Sequence, residues 1–505
     1  MSRPPFALVS VVLLLAGGTL AARTADPAPP RAGSLPHETR PVEGALGVCP
    51  ELLKNGTEVV TRLTAGVATP GEVTVRAATL APRTGLGDVV LRSGARVGAL
   101  NLKSDTAVAA VVTATGPQAG GLEVEQVSRG DTGVHRGWAG TRCEPPSADS
   151  WFLGGLTTQG NDTQLVLVNP YDDAALVRVE LHGDKGPIDA PELDGIVLPA
   201  RGRLTRELGN VAPDEHALAV HVLAREGRVA PAVRVTRTRG STPLGVDWLP
   251  RLPEPGTQVD VPGLPEGNGV RGLFVFTPEP DTVHLNVELV LGDEKVVPVG
   301  FDDIELPGGR PTMVNLTKVL QQTDQKTGVK TQRATALRVR AEGAPVFVTA
   351  FVENRSKYGP IQETSYVGPA GPLTGPTLVT EARNVRGMAC ALLLSAPDGQ
   401  ARVTITTLVQ EGHGGTPARR TVTVPAGKLL VFPYALLPKD ALQAVVVTPD
   451  PDLGPVWGTR LIYETGQRGP LFTTQALVTQ PTAGLDVPTV TADPGAALPP
   501  HLDQT

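Results

Sequence analysis

Ile196-Val-Leu-Pro-Ala-Arg-Gly-Arg-Leu-Thr-Arg-Glu-Leu208 recurs in this chain with small variations. It returns as Ile304-Glu-Leu-Pro-Gly-Gly-Arg-Pro-Thr-Met-Val-Asn-Leu316 and as Val422-Thr-Val-Pro-Ala-Gly-Lys-Leu-Leu-Val-Phe432. The three prolines, Pro199, Pro307 and Pro425, stand 108 and 118 residues apart. A weaker copy, Val89-Val-Leu-Arg-Ser-Gly-Ala-Arg-Val-Gly-Ala-Leu100, lies about 107 residues upstream of the first. Self-similarity at a near-constant period marks a repeated folding unit, so this turn sets the reading of everything around it.

Strand-like segments flank each copy. Gln164-Leu-Val-Leu-Val-Asn-Pro170 with Leu176–Leu181 precedes the first, Leu273–Pro278 with Val283–Leu289 the second, and Ala391–Pro397 with Arg402–Leu408 the third. Each turn is followed by another pair, for example Ala217–Val222 and Val229–Val235. Period-two alternation broken by Gly, Pro and Asp is a strand pattern and not a helical one. Seven candidate strands in about 90 residues fit a two-sheet sandwich of immunoglobulin-like size. Continuous apolar runs such as Leu165–Val168 suit positions packed between two sheets. The period is more than twice that of a propeller blade, about 40–50 residues.

The expected fold class is therefore all-β, a tandem array of about four immunoglobulin-like β-sandwich domains. The reading divides the chain into a signal peptide (1–22), a flexible spacer (23–44), sandwiches at 45–146, 149–250, 258–366 and 377–479, and a disordered tail (480–505). Pro/Gly linkers at Glu144–Ala148, Arg251–Gly256 and Gly368–Thr377 are expected to join the sandwiches into a semi-rigid rod.

With 505 residues, the chain has length enough for several domains. Aromatics are only 4%, so the cores have to be built from Val, Leu, Ala and Ile. A net charge of −6 argues against a general nucleic-acid binder, which needs a concentrated basic surface. Arg3, the apolar block Phe6–Leu15 and the small residues through Ala22 follow the order of a secretory signal, with cleavage expected after Ala21. The apolar block is short of the about 20 residues of a membrane span, and an uncleaved N-terminal anchor is the alternative. The expected location is extracytoplasmic, in the cell envelope or secreted, with no membrane span after cleavage.

Three cysteines suit that compartment. Pairing Cys49 with Cys143 would enclose the first domain, while Cys390, inside Met388-Ala-Cys-Ala-Leu-Leu-Leu394, reads as a buried free thiol.

Cys49-Pro50, Cys143, Trp151-Phe-Leu-Gly-Gly155 and Leu167-Val-Asn-Pro-Tyr-Asp-Asp173 resemble an uncharacterised family of secreted actinobacterial proteins, known as domain of unknown function number 5719. Gly245-Val-Asp-Trp-Leu-Pro250, Pro262-Gly-Leu-Pro265 and Phe276-Thr-Pro278 continue the resemblance in the same order. It implies secretion, a Cys49–Cys143 disulfide and a β-rich fold, and it supplies no catalytic residue.

Several groups invite a chemical reading. Asn169-Pro-Tyr-Asp-Asp173 and Asp302-Asp303 place carboxylates in turns where calcium could sit, but these residue types also favour turns for backbone reasons. His182, His216 and His221 fall in one repeat, yet zinc needs three or four converging ligands, and positions 216 and 221 of a regular strand face opposite sides. Arg129-Gly-Asp131 is an adhesive-looking tripeptide that a polar turn explains, and the Asn-x-Ser/Thr triplets at Asn55, Asn161, Asn315 and Asn354 would be glycan acceptors in a eukaryotic secretory pathway, a role the bacterial resemblance argues against. Trp151 and Trp248 are candidate sugar contacts, with packing between domains as the favoured role.

The sequence holds no nucleophile elbow, zinc-protease motif, phosphate loop or dinucleotide fingerprint. A non-enzymatic envelope scaffold without cofactor or metal is the expected function, its partner an envelope protein. A cell-wall glycan or peptidoglycan binder using Trp151 or Trp248 comes second, and an envelope enzyme with a dispersed site third.

Overall fold

The computed structural model describes residues 37–40, 42–51, 60–68, 73–80, 85–91, 96–102, 108–323, 330–356, 362–381, 388–410, 416–437, 444–466, 469–480 and 485–488. The signal segment 1–22, the Asn55 triplet and most of the spacer and tail lie outside them. The chain divides into two compact units, Met1–Pro41 with Ala483–Thr505, and Val42–Thr482.

In the first unit, His37–Arg40 pairs antiparallel with Leu485–Pro488. The sequence alone assigns these residues to a flexible spacer and a disordered tail. Such a pair is held by backbone hydrogen bonds between segments of four residues each, too short for an apolar periodicity to announce it.

The second unit is all β, with four modules of one topology. In module 2 the eight main strands are Asp149–Gly155, Asn161–Val168, Ala175–Gly183, Ile196–Leu198, Arg203–Glu207, Leu218–Glu226, Ala230–Arg239 and Thr242–Leu249. The first, sixth, third and fourth form one sheet; the fifth, second, seventh and eighth form the other. Modules 1, 3 and 4 repeat this order, and each is a two-sheet sandwich with its own apolar core. As in an immunoglobulin domain, the second strand pairs with the fifth, but the seventh strand, not the first, takes its other side.

The repeated turn carries the chain from the fourth strand of one sheet to the fifth strand of the other. The residue two after each proline is left-handed: Arg201 (φ 52°), Gly309 (φ 68°) and Gly427 (φ 69°). That sharp corner is why the motif recurs with Gly at two of the three sites.

The four sandwiches do not form the expected rod. Leu165 and Leu167 point into the core of module 2, while Val166 and Val168 point outward and pack on Val48, Leu80 and Ala109 of module 1. In module 3, Leu273 and Val275 face inward while Phe274 and Phe276 pack against module 2. In module 4, Leu392 and Leu394 face inward while Leu393 meets Val290 and Ala336 of module 3. Module 1 closes the circle, with Ala68 and Val97 against Leu378, Leu408, Ala444 and Val446 of module 4. There Val409–Gln410 also pairs with Arg96–Val97 to join two sheets. Each module thus lays its second sheet on the first sheet of its predecessor, and the fourth such contact returns to the start. A head-to-tail contact whose rotation closes makes a ring.

Within module 1, Cys49 at the end of the first strand is disulfide-bonded to Cys143, just past the eighth, tying the two sheets together across 94 residues of sequence. Cys390 is a buried free thiol in the core of module 4. Breaking the Cys49–Cys143 bond with reductant, or by the double substitution Cys49→Ser and Cys143→Ser, should cost about 4 kcal/mol in the chain-entropy account. Hydrogen exchange should place the lost protection mainly in module 1; an even loss across all four modules would contradict this.

Candidate functional site at the module junction

The eighth strands, Gly137–Arg142, Thr242–Leu249, Gln362–Val367 and Gly469–Ala476, are the sheet edges that meet at the centre of the ring, each packed against those of the two adjoining modules. Small or polar residues at the meeting points, among them Gly140, Ser365 and Thr473, let four backbones approach closely.

Asp247 of module 2 binds to all four modules. Its carboxylate accepts hydrogen bonds from the amides of Gly140 (3.0 Å), Trp248 (3.0 Å) and Tyr366 (3.4 Å), and from Thr473 Oγ1 at 3.3 Å. The side chain is 1% exposed, and burial pushes its pKa up to about 7 against the pull of Ser365 and those amides. Glu363 of module 3 lies nearby, fully buried, with Oε1 accepting from the Thr364 amide at 3.1 Å and Oε2 without a hydrogen-bond partner. Burial holds its carboxyl well above the usual range, and the charge of Arg136 only partly offsets this. Gly137 and Gly245 make room for it, since a Cβ on either would come within 2.8 Å of Glu363 Oε1.

Around this centre, each joint carries an arginine–carboxylate pair. Glu51 of module 1 meets Arg234 and Arg203 of module 2, each at 2.9 Å, and Arg237 meets Glu353 of module 3 at 3.1 Å. Arg338 of module 3 binds Asp398 of module 4 at 2.9 Å. The closing joint holds three pairs: Arg460–Glu125, Arg129–Glu464 at 2.8 Å and Arg62–Glu381 at 3.0 Å. Arg129 and Asp131 of the adhesive-looking tripeptide are thereby engaged within the protein.

At the C-terminal ends of the eighth strands a pocket of about 90 Å³ opens, room for several waters or one small group. All four modules line it, through Arg142 and Glu144, Trp248 and Arg251, Pro369, and Gln475 and Val478. Arg251 pairs with Glu144 at 3.0 Å. Four prolines and three aromatic rings stand among the lining residues, and Trp248 Nε1 and Tyr366 Oη are buried without hydrogen-bond partners.

Both tryptophans singled out from the sequence lie between modules. Trp248 is 2% exposed and packs on module 1, with Arg234 over its ring. Trp151 is stacked on His221 at 3.8 Å on one side and approached by Phe347 of module 3 at 4.9 Å, so both ring faces are engaged. Seven of the eighteen aromatics, Trp151, Phe152, Phe274, Phe276, Phe347, Phe351 and Tyr366, gather at or beside this one joint.

His221 is held between Asp149 (3.1 Å) and Glu180 (3.2 Å), His216 bonds Asp184, and His182 meets Gly309 O. Among the described residues no group of three or more His, Cys, Asp or Glu is placed to hold a metal ion. Asn169 donates to the carbonyls of Asp173, Leu198 and Pro199 and accepts from the Tyr171 amide, fixing its turn. Asp303 binds His284 at 2.8 Å. Sequence reading missed Asp247 and Glu363; the one available signal was acidic residues set inside strand-like segments, Val246-Asp-Trp and Gln362-Glu-Thr.

The sequence profile described as "Family of unknown function (DUF5719)" matches residues 98–434. None of the curated proteins matches the chain. Among solved structures, "Structure of Glycoside Hydrolase family 32 from Bifidobacterium adolescentis" aligns over 88% of this chain and 98% of that one, at 9% identity and a TM-score of 0.15, which carries no argument about fold or activity.

Gly245 has φ +122°, and a Cβ there would stand 2.4 Å from the Thr364 amide nitrogen. Gly245→Ala should therefore lose about 2 kcal/mol or more through strain and displacement of module 3. Urea unfolding measures this; a loss under about 0.5 kcal/mol would show that the junction is slack.

Proposed function

The chain belongs to the DUF5719 family of unknown function, and from that premise we propose that it is a non-enzymatic, extracytoplasmic scaffold that engages a cell-envelope protein at the pocket in the centre of its ring. The observation that carries this reading is the closure itself. Interfaces as buried as the module cores hold four sandwiches in one arrangement, so loops and pocket keep a fixed spacing for a partner.

Three further features support it. The carboxyls that burial displaces upward, Asp247 and Glu363, sit in the joints and do not line the pocket, and Tyr366, which does line it, is held by burial as the neutral phenol, which suits assembly better than catalysis. Ring partners on Trp151 and the burial of Trp248 favour packing over sugar stacking, which supports the scaffold reading over the glycan-binding alternative. The disulfide suits an oxidising compartment, and no helix among the described residues is long and apolar enough to cross a membrane.

The test uses the chain from residue 23 onward as bait against envelope extract, beside isolated cell-wall polysaccharide. A specific protein should be retained, and Val478→Trp, at an exposed position on the pocket wall, should cut retention at least about tenfold with the unfolding midpoint unchanged. Saturable polysaccharide binding, or retention indifferent to Val478→Trp, would overturn the reading.

A further inference from the structure

We infer that closure of the ring is proton-linked, with Asp247 and Glu363 together acting as a clasp that holds the four modules tightest when both carboxyls carry a proton. The inference rests on their placement and stands whatever the pocket binds.

The other buried carboxylates of the joints, Glu51, Glu125, Glu353 and Glu381, each face an arginine. Among the described residues Asp247 receives neutral donors only, three backbone amides and the hydroxyls of Thr473 and Ser365. A charge there has no cation within ion-pair reach among the described residues and no access to water, and both deficits disfavour the ionised form. Once protonated, Asp247 can turn its O–H toward Thr473 Oγ1, which is 3.3 and 3.4 Å from its two oxygens and can accept as well as donate. Glu363 is the more confined of the two, because Gly137 and Gly245 leave it no space and Oε2 has no donor.

The charged and titratable groups packed around the pair do not relieve it. The charge of Arg136 and the Trp138 amide, both of module 1, offset the burial of Glu363 only in part, while Tyr366 of module 3 is itself pushed upward beside Asp247. Arg237 of module 2 is engaged by Glu353, and Arg460 of module 4, beyond Gly140, by Glu125. Ionised Asp247 would raise Glu363 further, so each carboxyl resists the other's ionisation.

The direction of the pH effect can be worked out from these shifts. Folding lifts Asp247 from the usual carboxylate value to about 7, chiefly by burial, and lifts Glu363 in the same direction. Between those limits the folded ring keeps a proton that the unfolded chain has released, so stability falls as pH rises through the window and is fully present below it. For Asp247 alone the folded-to-unfolded ratio should fall by up to about a thousandfold across the window.

The experiment is the thermal unfolding of the full chain at pH 5, 6, 7 and 8, for wild type, Asp247→Asn and Glu363→Gln. The wild-type midpoint should drop steadily, and Asp247→Asn and Glu363→Gln should each flatten part of that drop. A wild-type midpoint that holds or rises from pH 5 to 8, or an Asp247→Asn profile parallel to wild type, overturns the inference. Should Asp247→Asn fail to fold, infrared difference spectra of the wild-type chain decide. A buried carboxylic-acid band lost through neutrality supports the clasp, and its absence at pH 5 rejects it.

Discussion

A strand with apolar side chains on both faces has to be covered twice. The second strand of modules 2, 3 and 4 is of this kind, in Leu165–Val168, Leu273–Phe276 and Leu392–Leu394, and one face of each is satisfied inside its own sandwich. The other face would present a broad apolar surface to water. Covering it with the preceding module removes that exposure three times along the chain, and the fourth contact, between modules 4 and 1, uses the same pair of sheets. The strand order of the modules, the small residues of the eighth strands and the burial of Asp247 all serve this stacking. Without the outward faces there would be no reason for four chain segments to meet.

A repeated head-to-tail contact carries a hazard, because a module that fits its predecessor could also fit a module of another molecule and continue without end. The joints differ chemically in a way that opposes this. Aromatic packing dominates between modules 2 and 3, small aliphatics with the paired arginines on Glu51 between 1 and 2, and three arginine–carboxylate pairs at the closing joint. Buried pairs add little net stability compared with well-packed apolar side chains, yet breaking one by mispairing leaves an uncompensated charge at a cost of about 3–5 kcal/mol. Joints of different chemistry therefore penalise a wrong neighbour more than they reward the right one, and the most charged joint is the one formed last along the chain.

Much of the module was legible in the sequence, and the ring was not. The Pro199, Pro307 and Pro425 turns gave the period because a left-handed corner between two sheets admits few residue types. The alternation in Ala175–Gly183 gave strands because core-buried residues alternate there with half-buried, mostly polar ones. Cys49 and Cys143 were legible because they bracket one repeat. The continuous run Leu165–Val168 was also visible, but its second face was assigned to the partner sheet of the same sandwich, whereas Val166 and Val168 lie on the neighbouring module. Sequence periodicity reports that a face is buried and is silent on what covers it. Asp247 and Glu363 were lost for a related reason, since an acidic residue in a strand reads as solvent-facing unless its partners, here amides 107 and 119 residues away, are known.

That silence bears on the site as well. Much of the pocket wall comes from stretches at and just beyond the end of the eighth strand in each module, Arg142–Glu144, Trp248–Arg251, Gly368–Pro369 and Gln475–Val478. A tandem reading treats such stretches as linkers. No local motif could mark such a site, because its walls are assembled from segments of all four modules scattered along the sequence. Its shape is also not a property of any one module. A single sandwich cut from the chain would bring only part of the wall and an uncovered apolar sheet, so the pocket is a property of the closed ring, and the hydrogen bonds that tie Asp247 to all four modules hold the strands whose ends form it.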